Sequence, residues 1–485
     1  MKDRIIKKRV KMMAAILSCI SIFLTGCNAK INTDESSSSS DTNSETTSDA
    51  PSLPEVRTLC GSFIQSWLVR NWSQTRWDTE CQNMADAGMK YIILQSVVDL
   101  TYNTDTQLGQ NPDTYVTTGV NSLYPSDLLE LKSANTGNDA LKKCLEACKK
   151  TGIQVIIGLV SDNRWWLYGW GLPKMPDGST DIITNSYFAK FIEENADISN
   201  KIADEIYQKY GNDYKDQIYC WYYNNEIWNI DIACKGTDGG VYAKLLSNSF
   251  NLYLRYFNQI TPGMPMMLSP FINPTLSTPD ECGKMWKDIF KLTEFREGDI
   301  FSPQDSFGGN PSLDLDKWWV NYKAAADAKP GLILWANNEN FREGGSVATI
   351  NEFVNKQINV TSKYAEANIC FSWNHYYSPL QRNPGYNKSY VYYVQNGKLE
   401  TESPSKPVLT ANGLTITWDA IDNKDICGFR VFDETKTRLI ATVEIGKEKN
   451  SVIQKTYKAE KAGKYYISVY DFSGNESELT EITLP

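Results

Sequence analysis

The sequence predicts an α/β fold, a (β/α)8 TIM barrel, followed by a small all-β sandwich. Three observations carry this. Eight short β-rich runs alternate with longer amphipathic stretches between Leu59 and about Tyr393. No Gly-rich phosphate loop follows any of those runs, which disfavours an open doubly wound sheet. Beyond Pro404 the helical periodicity stops, and short alternating runs separated by turns take over.

The strand candidates are Leu59–Trp67, Lys90–Val97, Gln154–Val160, Gln217–Tyr223, Pro265–Ser269, Asp299–Ser302, Leu332–Ala336 and Ile369–Trp373. Between them, Trp77/Cys81/Met84/Ala85, Leu141/Cys144/Leu145/Cys148 and Ile198/Ile202/Ile206 recur at three- and four-residue spacing, which lines apolar side chains along one helix face. Ala87-Gly88, Thr151-Gly152 and Pro330-Gly331 read as stops. Trp221, Tyr222 and Tyr223 alternate, so at least one must point into the barrel as core. In the second unit the runs are Leu414–Trp418, Gly428–Asp433, Arg438–Val443 and Lys464–Asp471. Trp418, Tyr466 and the segment Val469 to Ser477 resemble a fibronectin type III module, which implies spacing or weak ligand binding and no catalytic residues.

The chain begins with a basic head, Lys2 to Lys11, and a short apolar run from Met12 to Leu24 that is too short to span a bilayer comfortably. It ends in Leu24-Thr25-Gly26-Cys27, which resembles the lipobox of bacterial lipoproteins. That resemblance implies cleavage before Cys27, acylation of Cys27, and an exported protein anchored to the bacterial cell membrane. The following Ser/Thr-rich stretch, with five serines in a row from Ser36, cannot bury enough apolar surface to order itself and is expected to be a tether. The expected layout is therefore 1–26 signal, 27–56 acylated tether, 57–400 barrel and 404–485 sandwich.

From Cys27 onward there are 43 basic and 57 acidic residues, a net charge near −14. Such a polyanion gains nothing from counterion release, so nucleic acid is not an expected partner. The single histidine, His375, argues against a His-based zinc centre. Most cysteines sit in apolar contexts and no CxxC occurs, so neither a disulfide framework nor a metal site is expected. No cofactor is implied, and the protein is expected to act as a monomer.

Barrel enzymes work at the C-terminal ends of their strands. Those ends here are rich in amides, acids and aromatics: Gln65 and Trp67, Gln95, Asp162 and Trp165, Asn225 with Glu226, Gln304 with Asp305, Trp335 leading to Glu339, and Trp373, His375 and Tyr376. Aromatic faces stack on sugar rings and amides pair with hydroxyls, so this is a composition suited to a neutral glycan. Glycosidic cleavage needs one protonated carboxyl beside the leaving oxygen and one ionised carboxylate across the ring. Asn225-Glu226 after strand four and Glu339 after strand seven resemble the pattern of glycoside hydrolase clan A. That resemblance implies Glu226 as acid/base, Glu339 as nucleophile and Trp373 as a sugar contact. The segments Gly61 to Gln65, Pro303 to Ser306, Trp335 to Glu339 and Phe371 to Pro379 resemble a poorly characterised bacterial family of glycoside-hydrolase-like domains.

Rival readings stay open at this level. Glu343 and Asp305 compete for the catalytic carboxylate, and Trp165 is either a platform or a buried loop anchor. A non-catalytic glycan-binding lipoprotein is the main alternative function. An esterase using His375 is disfavoured because no Gly-x-Ser-x-Gly elbow occurs.

Overall fold

The computed structural model describes residues 57–103, 116–128, 131, 137–168, 186–418, 425–446 and 449–485. The segments expected to be signal and tether, with Cys27 between them, lie outside the described residues. Eight parallel strands close a barrel: β1 Leu59–Ile64, β2 Tyr91–Leu94, β3 Gln154–Gly158, β4 Ile218–Tyr223, β5 Met266–Leu268, β6 Ile300–Phe301, β7 Ile333–Glu339 and β8 Ala367–Phe371. Each overlaps a strand read from the sequence. The main difference is β7, which runs three residues past the expected Ala336 to end on Glu339 itself.

Helices follow the strands: α1 Gln74–Asp86, α2 Ala140–Thr151, α3 Ser186–Tyr214, α4 Val241–Ile260, α5 Pro279–Leu292, α6 Leu315–Ala326 and α8 Pro384–Asn396. Before the last of these, α7 starts at Ile350–Phe353, widens into a π-turn at Val354–Ile358 and ends at Asn359–Thr361. Local chemistry sets their limits. Thr278 and Glu281 form a reciprocal capping box on α5, with Pro279 in the first turn, an arrangement worth about 1 kcal/mol. Gly152 closes α2 in the left-handed conformation (φ 74°), which only glycine adopts without cost.

Strand parity sorts the core. Phe63, Ile93, Ile156, Cys220, Tyr222, Met267, Ile300, Trp335 and Ile369 fill the barrel interior. Their strand neighbours, among them Ile64, Trp221, Tyr223, Leu334 and Cys370, pack outward against the helices. In the aromatic run of β4 it is Tyr222 that points inward.

The C-terminal strands form two antiparallel sheets. One holds β9 Leu409–Asn412, β10 Thr415–Trp418 and β13 Thr456–Lys458. The other holds β11 Ile426–Phe432, β12 Leu439–Glu444, β14 Gly463–Asp471 and β15 Thr480–Leu484. Ile416 and Trp418 of the first sheet share a core with Phe429, Val431 and Ile467 of the second, and Trp418 stacks on Phe429 at 4.3 Å. The sandwich meets the barrel at the turn after β14. Ile350 and Asn351, at the start of α7, donate backbone N–H groups to the carbonyls of Phe472 (3.2 Å) and Ser473 (2.8 Å). The Phe472 ring meets Tyr386 of α8 edge-on at 4.8 Å. Gly385 permits this approach, since a Cβ there would stand 2.1 Å from the Phe472 ring.

Candidate active site

Two glutamates stand at the C-terminal mouth of the barrel. Glu339 is the last residue of β7 and shares the inward parity of Ile333, Trp335 and Asn337. Glu226 lies three residues beyond β4, on the parity of Cys220 and Tyr222. Each of these carboxyls is pushed up mainly by burial, which disfavours the charged form. Glu226 reaches about 7, partly countered by a hydrogen bond with Gln304. Glu339 is raised further by the charges of Asp305 and Glu226, and held back by Gly308 and Arg342. The charge of Glu226 is thus felt at Glu339.

Their supports differ. The carbonyl of Glu226 accepts from the indole Nε1 of Trp165 at 2.9 Å, while the side chain is half-buried. Glu339 is 7% exposed and is braced from several sides. Its Oε2 accepts from the Gly308 N–H (2.8 Å) and its own N–H donates to Asp305 Oδ1 (3.1 Å). Its carbonyl accepts from Gln357 Nε2 (2.8 Å) and Arg342 Nη1 (3.2 Å). Gln357 sits in the π-turn of α7, a kind of distortion that recurs at functional sites.

The other expected site residues divide into two groups. Gln65, Trp67, Gln95, Gln304, His375 and Tyr376 remain partly accessible around the mouth. Trp67 and His375 face each other with ring centroids 5.6 Å apart, and Tyr376 stacks on Phe341 at 5.6 Å. Burial holds the His375 imidazole down to about 4, so it is neutral at physiological pH.

Six residues expected to touch sugar do not open onto the cleft. Trp335 closes the opposite, N-terminal end of the barrel beside Tyr91 (5.2 Å), because its parity is inward but its level is low. Trp373 lies past the end of β8, wholly buried against Tyr377 and Tyr390. Trp165 is the buried loop anchor, among Phe188, Phe191 and Trp228. Asn225, of outward parity, donates to Asn195 of α3 at 3.1 Å. Asp162 is consumed by Arg164, which approaches it through Nε and Nη2. Asp305 is fully buried, its Oδ1 taken by the N–H groups of Phe307 and Glu339, and its Oδ2 by Asn338 and Gln357. Glu343, the remaining rival, is exposed on a 3-10 turn.

Residues 59–383 match the family described as Domain of unknown function (DUF4434). The chain belongs to the DUF4434 family. Among solved structures, this DUF4434 protein is similar to a putative alpha-L-fucosidase from Bacteroides thetaiotaomicron, at 19% identity over 70% of this chain and 94% of that one, with a TM-score of 0.47. It is also similar to a glycoside hydrolase family 5 protein from Bacteroides vulgatus (12% identity, 88% and 89% covered, TM-score 0.39). An endo-1,4-beta-mannanase from Rhizomucor miehei gives 12% identity, 66% and 88% covered, and a TM-score of 0.39. No curated protein matches the sequence.

Several residues of this DUF4434 site escape sequence reasoning. Phe371 carried a usable signal, because it sits on the parity of inward-facing Ile369, and it reaches the mouth beside His375 (6.3 Å). Glu80 carried one too: it is a charge set within the apolar stripe of α1. It is fully buried and fixes the loop after β8 by accepting from Asn374 (2.7 Å) and Ser378 (2.8 Å). Gly308, Arg342 and Gln357 had no local signature, since their role exists only where three chain segments meet.

Proposed function

We propose that this protein is a retaining glycosidase of the bacterial cell surface, acting on a neutral oligo- or polysaccharide and tethered through acylated Cys27. The observation that carries the reading is the placing of Glu226 and Glu339 at the same mouth, both buried enough to hold protons more tightly than free carboxyls, with the Glu226 charge felt at Glu339. In this reading protonated Glu226 delivers its proton to the departing glycosidic oxygen as ionised Glu339 attacks the anomeric carbon. A water then displaces the resulting ester, giving its proton back to Glu226. Retention calls for a carboxyl separation of about 5–5.5 Å. Gln65, Gln95 and Gln304 supply amides for hydroxyls, and Trp67, Phe371 and Tyr376 supply ring faces.

The test runs the wild-type protein and Glu226→Gln side by side on a panel of oligosaccharides and aryl glycosides. The reading expects turnover by the wild type, with retained anomeric configuration, and its loss in the variant. Saturable binding by both proteins with no turnover by either would instead make this a glycan-binding lipoprotein. Replacing Cys27 by Ala tests the anchor, which expects release of the protein from the membrane fraction.

A further inference from the structure

The turn that follows β6 does more than connect it to α6. Asp305 opens the turn, its N–H donating to the Asn337 carbonyl of β7 at 2.9 Å. Ser306 adopts a left-handed conformation (φ 50°), and its Oγ accepts from the Ile272 N–H at 2.9 Å. The Phe307 N–H returns to Asp305 Oδ1 at 3.0 Å, and the Gly308 carbonyl accepts from the Glu343 N–H at 2.8 Å. The Gly308 N–H is thereby fixed in direction, and it points at Glu339 Oε2. Gly308 does not have a positive φ. What forbids a side chain is space, since a Cβ would lie 2.7 Å from Glu339 Oε2 and 2.6 Å from the Phe341 ring. Both neighbours are the far ends of side chains, so an added methyl displaces the carboxylate rather than the backbone.

We infer that the Asp305–Gly308 turn is the positioning device for Glu339: Gly308 grips Oε2 through its N–H, Asp305 pins the strand end, and Oε1 is left as the oxygen presented to the cleft. The clamp itself stands on geometry; only the statement that Oε1 attacks rests on the glycosidase reading. No Glu339 Oε1 bond to a protein donor is found among the described residues, in keeping with that division. Burial is the main force against the carboxylate form of Glu339, the charges of Asp305 and Glu226 add to it, and the Gly308 hydrogen bond and Arg342 oppose it.

Those opposite signs give the test. Full-length protein carrying 13C-carboxyl glutamate is titrated by infrared difference spectroscopy, and the Glu339 band is assigned by its loss in Glu339→Gln. Gly308→Ala should move the Glu339 midpoint to higher pH, and Asp305→Asn should move it lower. On a cleaved glycoside, Gly308→Ala should also lower kcat by about tenfold or more with KM nearly unchanged. Shifts of the same sign in both variants, or a wild-type midpoint and kcat in Gly308→Ala, would overturn the clamp. If Gly308→Ala does not fold, the direction of the Asp305→Asn shift decides. Absence of turnover by the wild type would sink the glycosidase reading alone, because the titration still judges the clamp.

Discussion

The ends of β4 and β7 deliver the same side chain to the same mouth in different ways. At β4 the carboxylate sits on a loop, gripped at its backbone by Trp165 and touched at its tip by Gln304. At β7 it sits on the strand itself, with Gly308, Asp305, Arg342 and Gln357 closing around it. A group that must give a proton and then take one back in each cycle gains from room to move, whereas a group that must meet one carbon gains from fixed geometry. Under the glycosidase proposal, the contrast supports Glu226 as the acid/base and Glu339 as the nucleophile without appeal to any motif.

The largest effect should come from removing either carboxyl. Glu226→Gln and Glu339→Gln should each lower kcat by about a hundredfold or more, read on an aryl glycoside, and a variant retaining full rate would break the assignment. A glycoside with a very good leaving group sharpens it, since only Glu226→Gln should then recover its first chemical step.

The next effect concerns pH. Catalysis needs Glu226 protonated and Glu339 ionised. Burial and the charge of Asp305, however, lift Glu339 to about 8, while Glu226 reaches about 7. The working pair is therefore the minor protonation form, and activity should fall on both sides of a narrow optimum between about pH 7 and 8. Stability depends on pH as well. A carboxyl whose proton affinity rises on folding stabilises below its unfolded pKa and loses that contribution as pH climbs through the folded value. Glu226→Gln, locked in the uncharged form, should thus gain on the wild type between about pH 4 and 7, by on the order of 3 kcal/mol, in urea melts at successive pH values. A gap that does not vary with pH would contradict the burial of Glu226.

Trp165→Phe should cost less, about 1–2 kcal/mol from the lost indole hydrogen bond and the space it leaves, and should slow Glu226-dependent steps without altering Glu339. The smallest effect is expected at His375. With its imidazole neutral, His375→Gln should leave hydrolysis within a few-fold of wild type, and abolished ester cleavage would revive the esterase reading.

How much of this was legible in the sequence depends on the range of the interactions involved. The eight strands were readable because each is a local apolar run closed by its own stop signal, and Glu226 and Glu339 because they stand at the ends of such runs. The aromatic residues were less readable. Trp335 and Trp373 look alike on paper, yet one plugs the far end of the barrel and the other is buried behind the site, while Phe371 reaches the mouth. Which side of a strand end a residue faces, and at what height, is decided by β-sheet register and parity, and a one-residue shift exchanges core for cleft. Asp305 looked like a ligand because its four hydrogen-bonding partners come from three separate segments, a geometry no window of sequence contains.

The seam between barrel and sandwich has a thermodynamic consequence. The first residues of α7 find their acceptors on Phe472 and Ser473, so a helix that reaches Glu339 through Gln357 is capped by the other module. Neither module can melt without stranding helix donors or exposing the Tyr386–Phe472 contact. The two should therefore lose structure together, as one calorimetric peak whose calorimetric and van't Hoff enthalpies agree.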